Sequence, residues 1–142
     1  MKDKLILEII IEVYSEQITS LTGAAGTVQM IPFGGTVDCE LFKGVVAPGG
    51  VDTQVVNQNG VRNMSARYML TGTDKEGQSC HIYIDNEGWF SEKDSDECFK
   101  TIPHFLTDSV CLGPYLHQNK FRGEGFPGEK GPVIRIYEII KD

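Results

Sequence analysis

The stretch GGVDTQVVNQNGVRNMSARYML, residues 49–70, decides the fold because two runs of strand-forming residues flank a strong turn signal. Asn59 and Gly60 stand between the runs, and both residue types accept the positive φ angles that a type I′ hairpin turn requires. The runs at 51–57 and 62–72 are rich in valine and other residues that are common in strands. This stretch therefore predicts an antiparallel β-hairpin.

The rest of the 142-residue chain repeats this pattern. Sixteen glycines and six prolines separate short runs rich in Val, Ile, Thr, Tyr and Phe, whereas helical periodicity is nearly absent. Further strands are predicted at 5–14, 28–33, 36–47, 79–86, 97–105, 115–122 and 132–140. The first and last of these are long and apolar, and free edges of that kind would invite aggregation. We therefore predict one all-β domain over residues 1–142, an antiparallel β-barrel of about eight to ten strands.

Two glycine-rich segments are predicted to be irregular. Residues 20–27, SLTGAAGT, are small and form a flexible loop in this prediction. Residues 122–132, RGEGFPGEKGP, lack the G-K-[ST] ending of a phosphate-binding loop and contain two glutamates, which would repel phosphate. We interpret the second segment as a hairpin loop or a mobile lid.

The charge balance disfavours several classes of partner. The net charge is −7, and an acidic domain repels both nucleic acid and anionic membrane surfaces. Glu8 and Glu12 interrupt the apolar N-terminal run, so we interpret that run as a strand of the mature protein and not as a signal peptide. No apolar stretch approaches 18 residues, which excludes a membrane-spanning helix.

The cysteines indicate a reducing compartment. Four cysteines are few for a disulfide scaffold, and none lies in a C-x-x-C pair. We therefore predict free thiols and a cytoplasmic location. The four are Cys39, Cys80, Cys98 and Cys111.

The loop length of the first hairpin determines which side chains face each other. A two-residue loop places Gln58 opposite Val61 and, further along, Asp52 opposite Arg67 as a cross-strand ion pair. A four-residue loop keeps this register, whereas a three-residue loop with a bulge shifts it by one and separates the pair. We expect the two-residue loop.

The exact loop of the next hairpin, which joins 62–72 to 79–86, is not fixed by the sequence, so the hydrophobic pattern is used to choose only which side chains share a face. One of the registers that agree with this choice places Asp85 opposite Arg67. The apolar face then holds Val51, Val55, Met64, Tyr68, Leu70, Cys80, Ile82 and Ile84. The opposite, mixed face holds Asp52, Gln54, Arg67, Met69, Thr71, His81, Tyr83 and Asp85.

Two interpretations of the mixed face remain open. If it faces solvent, the Asp52–Arg67 pair contributes only about 0–1 kcal/mol. If it lines a cavity, it presents convergent polar groups to a ligand, and an eight-stranded barrel encloses enough space for one small molecule. The candidate ligand-binding residues are Asp52, Gln54, Arg67, Met69, His81 and Tyr83.

No metal site or cofactor is predicted. The three histidines, His81, His104 and His117, lack metal-ligand spacing. Residues 91–100, SEKDSDECFK, lack the glycine and the closing glutamate of a calcium loop, so we expect a solvated acidic hairpin there. Motifs for nucleophilic catalysis are absent.

Several short motifs, in order along residues 30–140, resemble a family of short microbial proteins known only as a domain of unknown function. They are Gly34-Gly35, Gly44-Val45-Val46, Pro48-Gly49-Gly50 with Asp52 two positions on, Ala66-Arg67-Tyr68, Thr101 with Pro103 and Phe105, and Ile136-Tyr137-Glu138. The resemblance implies a compact β-barrel-like domain and no particular activity. It also implies that Asp52 and Arg67 have a structural or functional role. Two positions depart from the family pattern: Thr53 replaces an aromatic residue, and Tyr115-Leu116-His117 replaces W-L-N.

The first functional hypothesis is therefore a barrel that binds a small, partly apolar molecule, and apolar residues on both strand faces predict a homodimer. The second is a metal-independent lyase or isomerase that uses Asp52, His81 or Tyr83 as acid and base. The third is a structural or interaction module with a filled interior. A cavity of about 300 Å³ or more would favour the first hypothesis over the third.

Overall fold

The computed structural model describes residues 2–90 and 98–141. Ten strands form the described part of the chain, with a single 3-10 turn at Ser15–Gln17 and a four-residue helix, α1, at Gly113–Leu116. The strands are β1 (Lys4–Val13), β2 (Thr19–Gly23), β3 (Gly26–Asp38), β4 (Phe42–Val46), β5 (Val51–Asn57), β6 (Arg62–Asp74), β7 (Ser79–Trp89), β8 (Phe99–Thr107), β9 (Phe121–Phe126) and β10 (Val133–Glu138). None of the described helices is long and apolar enough to cross a membrane.

The sheet closes on itself because β1 pairs with β10 on one side and with β3 on the other. The strands follow the order β1-β10-β9-β8-β7-β6, and β4 and β5 both lie between β6 and β3. Every pairing is antiparallel, and β2 adds a further strand to the free side of β3. The prediction of an antiparallel barrel is confirmed: the chain forms a closed eight-stranded barrel with two extra strands.

The barrel interior is filled by the alternate side chains of each strand. Along β7 the even-numbered residues from Cys80 to Gly88 are buried, whereas the odd-numbered ones are exposed or half-buried. Leu112 and Leu116, at α1, are also fully buried and join the same core. The largest fully buried side chains of the strands are Leu7, Ile9, Phe42, Leu70, Ile82, Ile84 and Ile136.

The predicted two-residue loop of the β5–β6 hairpin is wrong. The loop has three residues, 58–60, and the Gly60 amide donates to the Asn57 carbonyl over 3.0 Å. Gly60 has φ of +79°, and no residue other than glycine has a positive φ in the described chain, which excludes the type I′ turn. The Asn57 side chain stabilises the longer loop, because its Oδ1 accepts from the amides of Asn59 (2.9 Å) and Val61 (3.1 Å).

This loop shifts the hairpin register by one residue. Asp52 lies opposite Ala66 and not opposite Arg67, whose partner on β5 is Val51. A shift of one residue turns every side chain of a strand to the other face. Asp52 and Gln54 consequently point into the barrel, and the predicted Asp52–Arg67 pair does not form.

The predicted division of side chains between the two faces of the β6–β7 hairpin is confirmed, and the register is the one in which Arg67 pairs with Asp85 and Tyr68 with Ile84. The predicted apolar face is the barrel interior for its β6 and β7 members. Its β5 members, Val51 and Val55, lie on the outside, and the Val55 residue is 40% exposed.

Three other strand predictions need correction. The strand predicted at 28–33 is part of β3, and the strand predicted at 36–47 covers the end of β3 and all of β4. β3 runs through Gly34-Gly35 because both glycines pair with β1. The predicted loop at 20–27 is a hairpin in which Thr19–Gly23 pairs with β3. Residues 115–122 contain the end of α1, where Leu112 and Leu116 share one buried side, and β9 begins at Phe121. The acidic hairpin predicted over 91–100 falls mostly on residues 91–97, outside the described residues.

Candidate functional site

A cavity of about 120 Å³ lies inside the barrel, between β5, β6, β7, β8, β10, β1 and the middle of β3. Its walls are mainly apolar and include Ile11, Phe33, Met64, Ala66, Phe99 and Ile134. Five polar side chains interrupt them, namely Asp52, Gln54, Tyr68, Asn86 and Thr101. We call this cavity the barrel pocket. It is smaller than the roughly 300 Å³ expected of a pocket for a drug-sized ligand.

Two of these polar residues enter the pocket because of the shifted hairpin register. Asp52 and Gln54 occupy alternate positions of β5 and lie on the same side of the strand. The Gln54 Nε2 donates to Asp52 Oδ2 over 2.9 Å, which holds the carboxyl group in place. The other carboxyl oxygen, Oδ1, is buried and has no hydrogen-bond partner among the described residues.

Three further oxygens in the pocket have the same property. Tyr68, Asn86 and Thr101 are each only 4% exposed. The Tyr68 hydroxyl, Asn86 Oδ1 and Thr101 Oγ1 find no partner within the part of the chain that the structure describes. Buried polar groups in folded proteins are nearly always paired with protein or water, and an unpaired one costs about 1–3 kcal/mol. The pocket is therefore a place where a water molecule or a ligand stabilises the fold.

The pocket changes the acidity of its two ionisable groups. Burial raises the pKa of the Asp52 carboxyl above its ordinary value, against smaller opposing effects of the Gln54 hydrogen bond and the Arg62 charge. Burial also raises the pKa of Tyr68, and the negative charge of Asp52 adds to that rise. Tyr68 therefore stays a neutral phenol, and Asp52 holds its proton to a higher pH than an exposed aspartate.

Aromatic rings form two parts of the pocket wall. The rings of Phe33 and Tyr68 meet edge to face, with centroids 5.1 Å apart. Phe99 enters the interior over Gly125, where a Cβ atom would lie 2.2 Å from the ring. Gly125 is thus required by the close approach of Phe99, which would otherwise be pushed toward the pocket.

The other four predicted site residues lie on the outer face of the barrel. Arg67 and Met69 alternate with the buried residues of β6, and the Arg67 side chain is 66% exposed. The Arg67 Nε lies 3.9 Å from Asp85 Oδ2. His81 and Tyr83 alternate with the buried residues of β7. The predicted set is thus divided, with Asp52 and Gln54 inside and Arg67, Met69, His81 and Tyr83 outside.

His81 has a surface partner of its own. Its backbone N–H donates to Asp108 Oδ1 over 2.6 Å, and its Nδ1 lies 3.1 Å from Asp108 Oδ2. Both side chains are more than half exposed, so this contact is a solvated pair. Among the described residues, no group of three or more His, Cys, Asp or Glu is placed to hold a metal ion.

Sequence reasoning missed three residues of the pocket: Tyr68 as a polar group, Asn86 and Thr101. Asn86 is an even-numbered residue of β7, like Ile82 and Ile84, which the sequence placed on the apolar face. Its inward direction could therefore have been inferred from the sequence. Thr101 pairs with Gly88 across β7 and β8, and a strand pairing of this kind is not visible in one sequence.

A family described as "Protein of unknown function (DUF3237)" matches residues 4–105. A UPF0311 protein from Clostridium acetobutylicum is 32% identical over 97 residues, which cover 68% of this chain and 52% of that protein. The chain thus spans about half the length of this curated relative.

Solved structures share the barrel at low sequence identity. A protein of unknown function from Clostridium acetobutylicum has a TM-score of 0.75 and 24% identity, covering 99% of this chain and 100% of that one. A β-barrel-like protein from Acinetobacter baumannii has a TM-score of 0.69 and 21% identity, covering 96% and 94%. A structure described as an enzyme from Penicillium herquei has a TM-score of 0.54 and 15% identity, covering 99% and 98%. At these identities the likeness concerns the fold alone.

Proposed function

Because the chain belongs to the DUF3237 family of unknown function, its activity must be argued from its own site, and we propose that it binds a small molecule in the barrel pocket. One observation carries this proposal: four of the residues that line one mainly apolar cavity each have a buried oxygen without a partner among the described residues. Ligand pockets combine apolar walls with a few placed polar groups in this way.

The volume of the pocket limits the ligand. An apolar cavity of about 150 Å³ accommodates benzene, so about 120 Å³ suits a body of five or six ring atoms. This volume is below the roughly 300 Å³ that was expected to separate a binding barrel from a filled one, so volume alone favours the filled interior. The polar atoms without partners favour binding over a purely structural interior, since a filled barrel gains nothing from leaving them unpaired.

A pocket-filling variant tests the proposal. Ala66 lines the pocket and Ser65, its neighbour on β6, lies on the outer face. The test uses five- and six-membered ring compounds that carry an amine, hydroxyl, ketone or carboxylate group. We expect at least one of them to raise the Tm of the wild type. A ligand at a hundred times its Kd stabilises by about 2.7 kcal/mol.

Ala66→Phe should abolish this rise because the added ring occupies the pocket, whereas the control Ser65→Phe should keep it. Stabilisation that survives in a folded Ala66→Phe protein would contradict binding in the barrel pocket.

A second candidate function is acid–base catalysis, which the raised pKa of Asp52 favours. A carboxyl group with a pKa closer to neutrality can both accept and return a proton, and Tyr68 would hold a developing oxyanion in the same cavity. A structural neighbour with this fold is described as an enzyme, so a barrel of this kind is compatible with catalysis. The reaction class would be an isomerisation or elimination without a metal.

This candidate is tested with proton exchange. Cyclopentanone in heavy water should lose its α-protons faster with the protein than without it, as followed by NMR. Asp52→Asn should lower the catalysed rate by about 100-fold or more, whereas Asp85→Asn, on the outer face, should leave it unchanged. Equal exchange with wild type and Asp52→Asn would exclude Asp52 as the base for this probe.

A cytoplasmic location and a homodimer remain proposals. The four cysteines are free thiols, which supports a reducing compartment. Exposed apolar side chains on the outer face of the barrel support self-association.

A further inference from the structure

The unpaired polar atoms of the barrel pocket are matched best by a ligand that donates hydrogen bonds. Asn86 Oδ1 and an ionised Asp52 Oδ1 can only accept, whereas the hydroxyls of Tyr68 and Thr101 can accept or donate. All four are without a partner among the described residues, so none of them satisfies another. A molecule that enters the pocket must therefore supply donors, and more than one of them.

The charge of the pocket excludes acidic ligands. Asp52 is the only carboxyl group among the described lining residues, and no Lys, Arg or His belongs to that set. A carboxylate or phosphate would stand beside Asp52 without compensation in an apolar cavity, which is strongly unfavourable. A positive charge there would instead pair with the buried carboxyl oxygen.

The aromatic walls favour the same sign of charge. Phe33, Tyr68 and Phe99 all line the pocket, and the faces of aromatic rings attract cations. The nearest competitor is Arg62, which acts on Asp52 by Coulomb attraction and makes no hydrogen bond to it. The Arg62 guanidinium instead lies 3.7 Å from the centroid of the Phe90 ring, outside the lining of the pocket.

We propose that the ligand of the barrel pocket is a small primary amine, bound as its ammonium ion at Asp52, Asn86 and the two hydroxyls. An ammonium group carries three N–H donors and no acceptor, so it can donate to three of these four oxygens at once, and a hydroxyl left over can itself donate a hydrogen bond. Its charge pairs with Asp52, and its hydrocarbon body lies against the apolar walls. This inference rests on the proposed binding function and names the ligand class for that site.

Three probes of one size test the ligand class: cyclopentylamine, cyclopentanol and cyclopentanecarboxylate. Calorimetric titration at pH 7.5 should show the amine binding at least about tenfold more tightly than the alcohol, because a charge-assisted hydrogen bond is about twice as strong as a neutral one. The carboxylate should bind most weakly. Asp52→Asn should remove the preference for the amine, and Asp85→Asn, which removes the same charge outside the pocket, should keep it.

The pH dependence of the wild type gives a second readout that requires no variant. Asp52 is the one carboxyl group among the described lining residues, with the Gln54 amide as its hydrogen-bond donor, the Tyr68 phenol nearby and Arg62 acting on it by Coulomb attraction. Amine affinity should therefore fall as the pH is lowered through the Asp52 pKa, while the affinity of the alcohol should not follow.

The outcomes separate this inference from the proposed function. If the alcohol or the carboxylate binds as tightly as the amine, and Ala66→Phe abolishes that binding, the amine class is wrong and the binding function stands. If none of the three probes binds and no other ring compound stabilises the wild type, both are wrong. An amine preference that persists in Asp52→Asn also overturns the inference, since the charge pair would then play no part.

Discussion

Asp52 is the residue on which the interpretation of the site depends. The sequence places it beside Arg67 on one strand face, whereas the structure places it inside the barrel with Gln54 as its hydrogen-bond donor. The difference is a single residue of register, and it replaces the predicted ion pair with a buried carboxyl group that is hydrogen-bonded to Gln54. Its buried Oδ1 and its raised pKa have the same cause, which is removal from water.

The raised pKa of Asp52 predicts a pH-dependent stability. Because the folded protein binds the Asp52 proton more tightly than the unfolded chain, this residue stabilises the fold most below its ordinary pKa of 3.8. That contribution is lost as the pH rises through the folded pKa. Compared with the wild type, Asp52→Asn should therefore gain relative stability as the pH rises from about 4 to 7, as measured by urea unfolding.

Asp85→Asn is the control for loss of one negative charge on the same barrel. A difference between wild type and Asp52→Asn that does not change with pH would show that Asp52 titrates alike in the folded and unfolded states.

Arg67 gives a contrasting prediction at the same scale. Its side chain is 66% exposed and lies 3.9 Å from Asp85, so the pair is a surface contact. Arg67→Leu should change the free energy of unfolding by only about 0–1 kcal/mol. A loss of about 3–5 kcal/mol in denaturant unfolding would instead indicate a buried ion pair and would contradict the outward direction of Arg67.

At the scale of elements, β8 and β9 together shape one wall of the pocket. Phe99 on β8 lies opposite Gly125 on β9, and its ring occupies the space that a side chain at Gly125 would take. Residues 122–132 were predicted to be a hairpin loop or a mobile lid, but residues 122–126 belong to β9, with Gly123 and Gly125 inward and Arg122 and Glu124 outward. In the structure it is a strand whose missing side chains make room for its neighbour.

Gly125→Ala should consequently disturb the pocket. The new Cβ atom would lie 2.2 Å from the Phe99 ring and would force that ring to move. We expect a loss of about 1–3 kcal/mol in unfolding free energy, as for other overpacked cores, together with weaker ligand binding. Urea unfolding and probe titration measure the two effects.

Glu124→Ala, on the outer face of the same strand, is the matched control and should leave ligand binding unchanged. Normal stability and normal binding in Gly125→Ala would mean that Phe99 does not depend on this glycine.

At the scale of the whole molecule, closure of the barrel removes the edges of its longest apolar strands. β1 pairs with β10 over residues 4–10 and with β3 over residues 9–13, so every part of the N-terminal strand is paired on at least one side. The interior is apolar around Leu7, Ile82 and Ile136, and the barrel pocket is a local exception among the described residues.

The outer face of the barrel carries the prediction of a homodimer. Val55, Trp89 and Ile102 are each at least 40% exposed and line one groove of about 350 Å³. Burial of such side chains between two copies would stabilise a dimer. Light scattering should give twice the mass of the chain for the wild type and the mass of one chain for Trp89→Glu. A monomeric wild type at high protein concentration would reject the homodimer.

The sequence alone determined the fold class and most of the strands, because strand periodicity and turn signals are local properties of the chain. It also determined which side chains of β6 and β7 face the interior, since only one choice puts Tyr68, Leu70, Ile82 and Ile84 on the same side, whereas the exact register is known from the structure. On β5, valines occur on both faces of the strand, with Val51 and Val55 on one and Val56 on the other. The hydrophobic pattern therefore does not decide which face of β5 is buried.

Only the tertiary structure decided the direction of Asp52. The Asn57 side chain stabilises a loop one residue longer than the Asn-Gly signal predicts, and that residue turns Asp52 and Gln54 inward. Tertiary pairing also brings Thr101 of β8 and Asn86 of β7 to the same pocket. Such contacts depend on which strands become neighbours when the barrel closes, and this is a property of the whole chain that no local pattern contains.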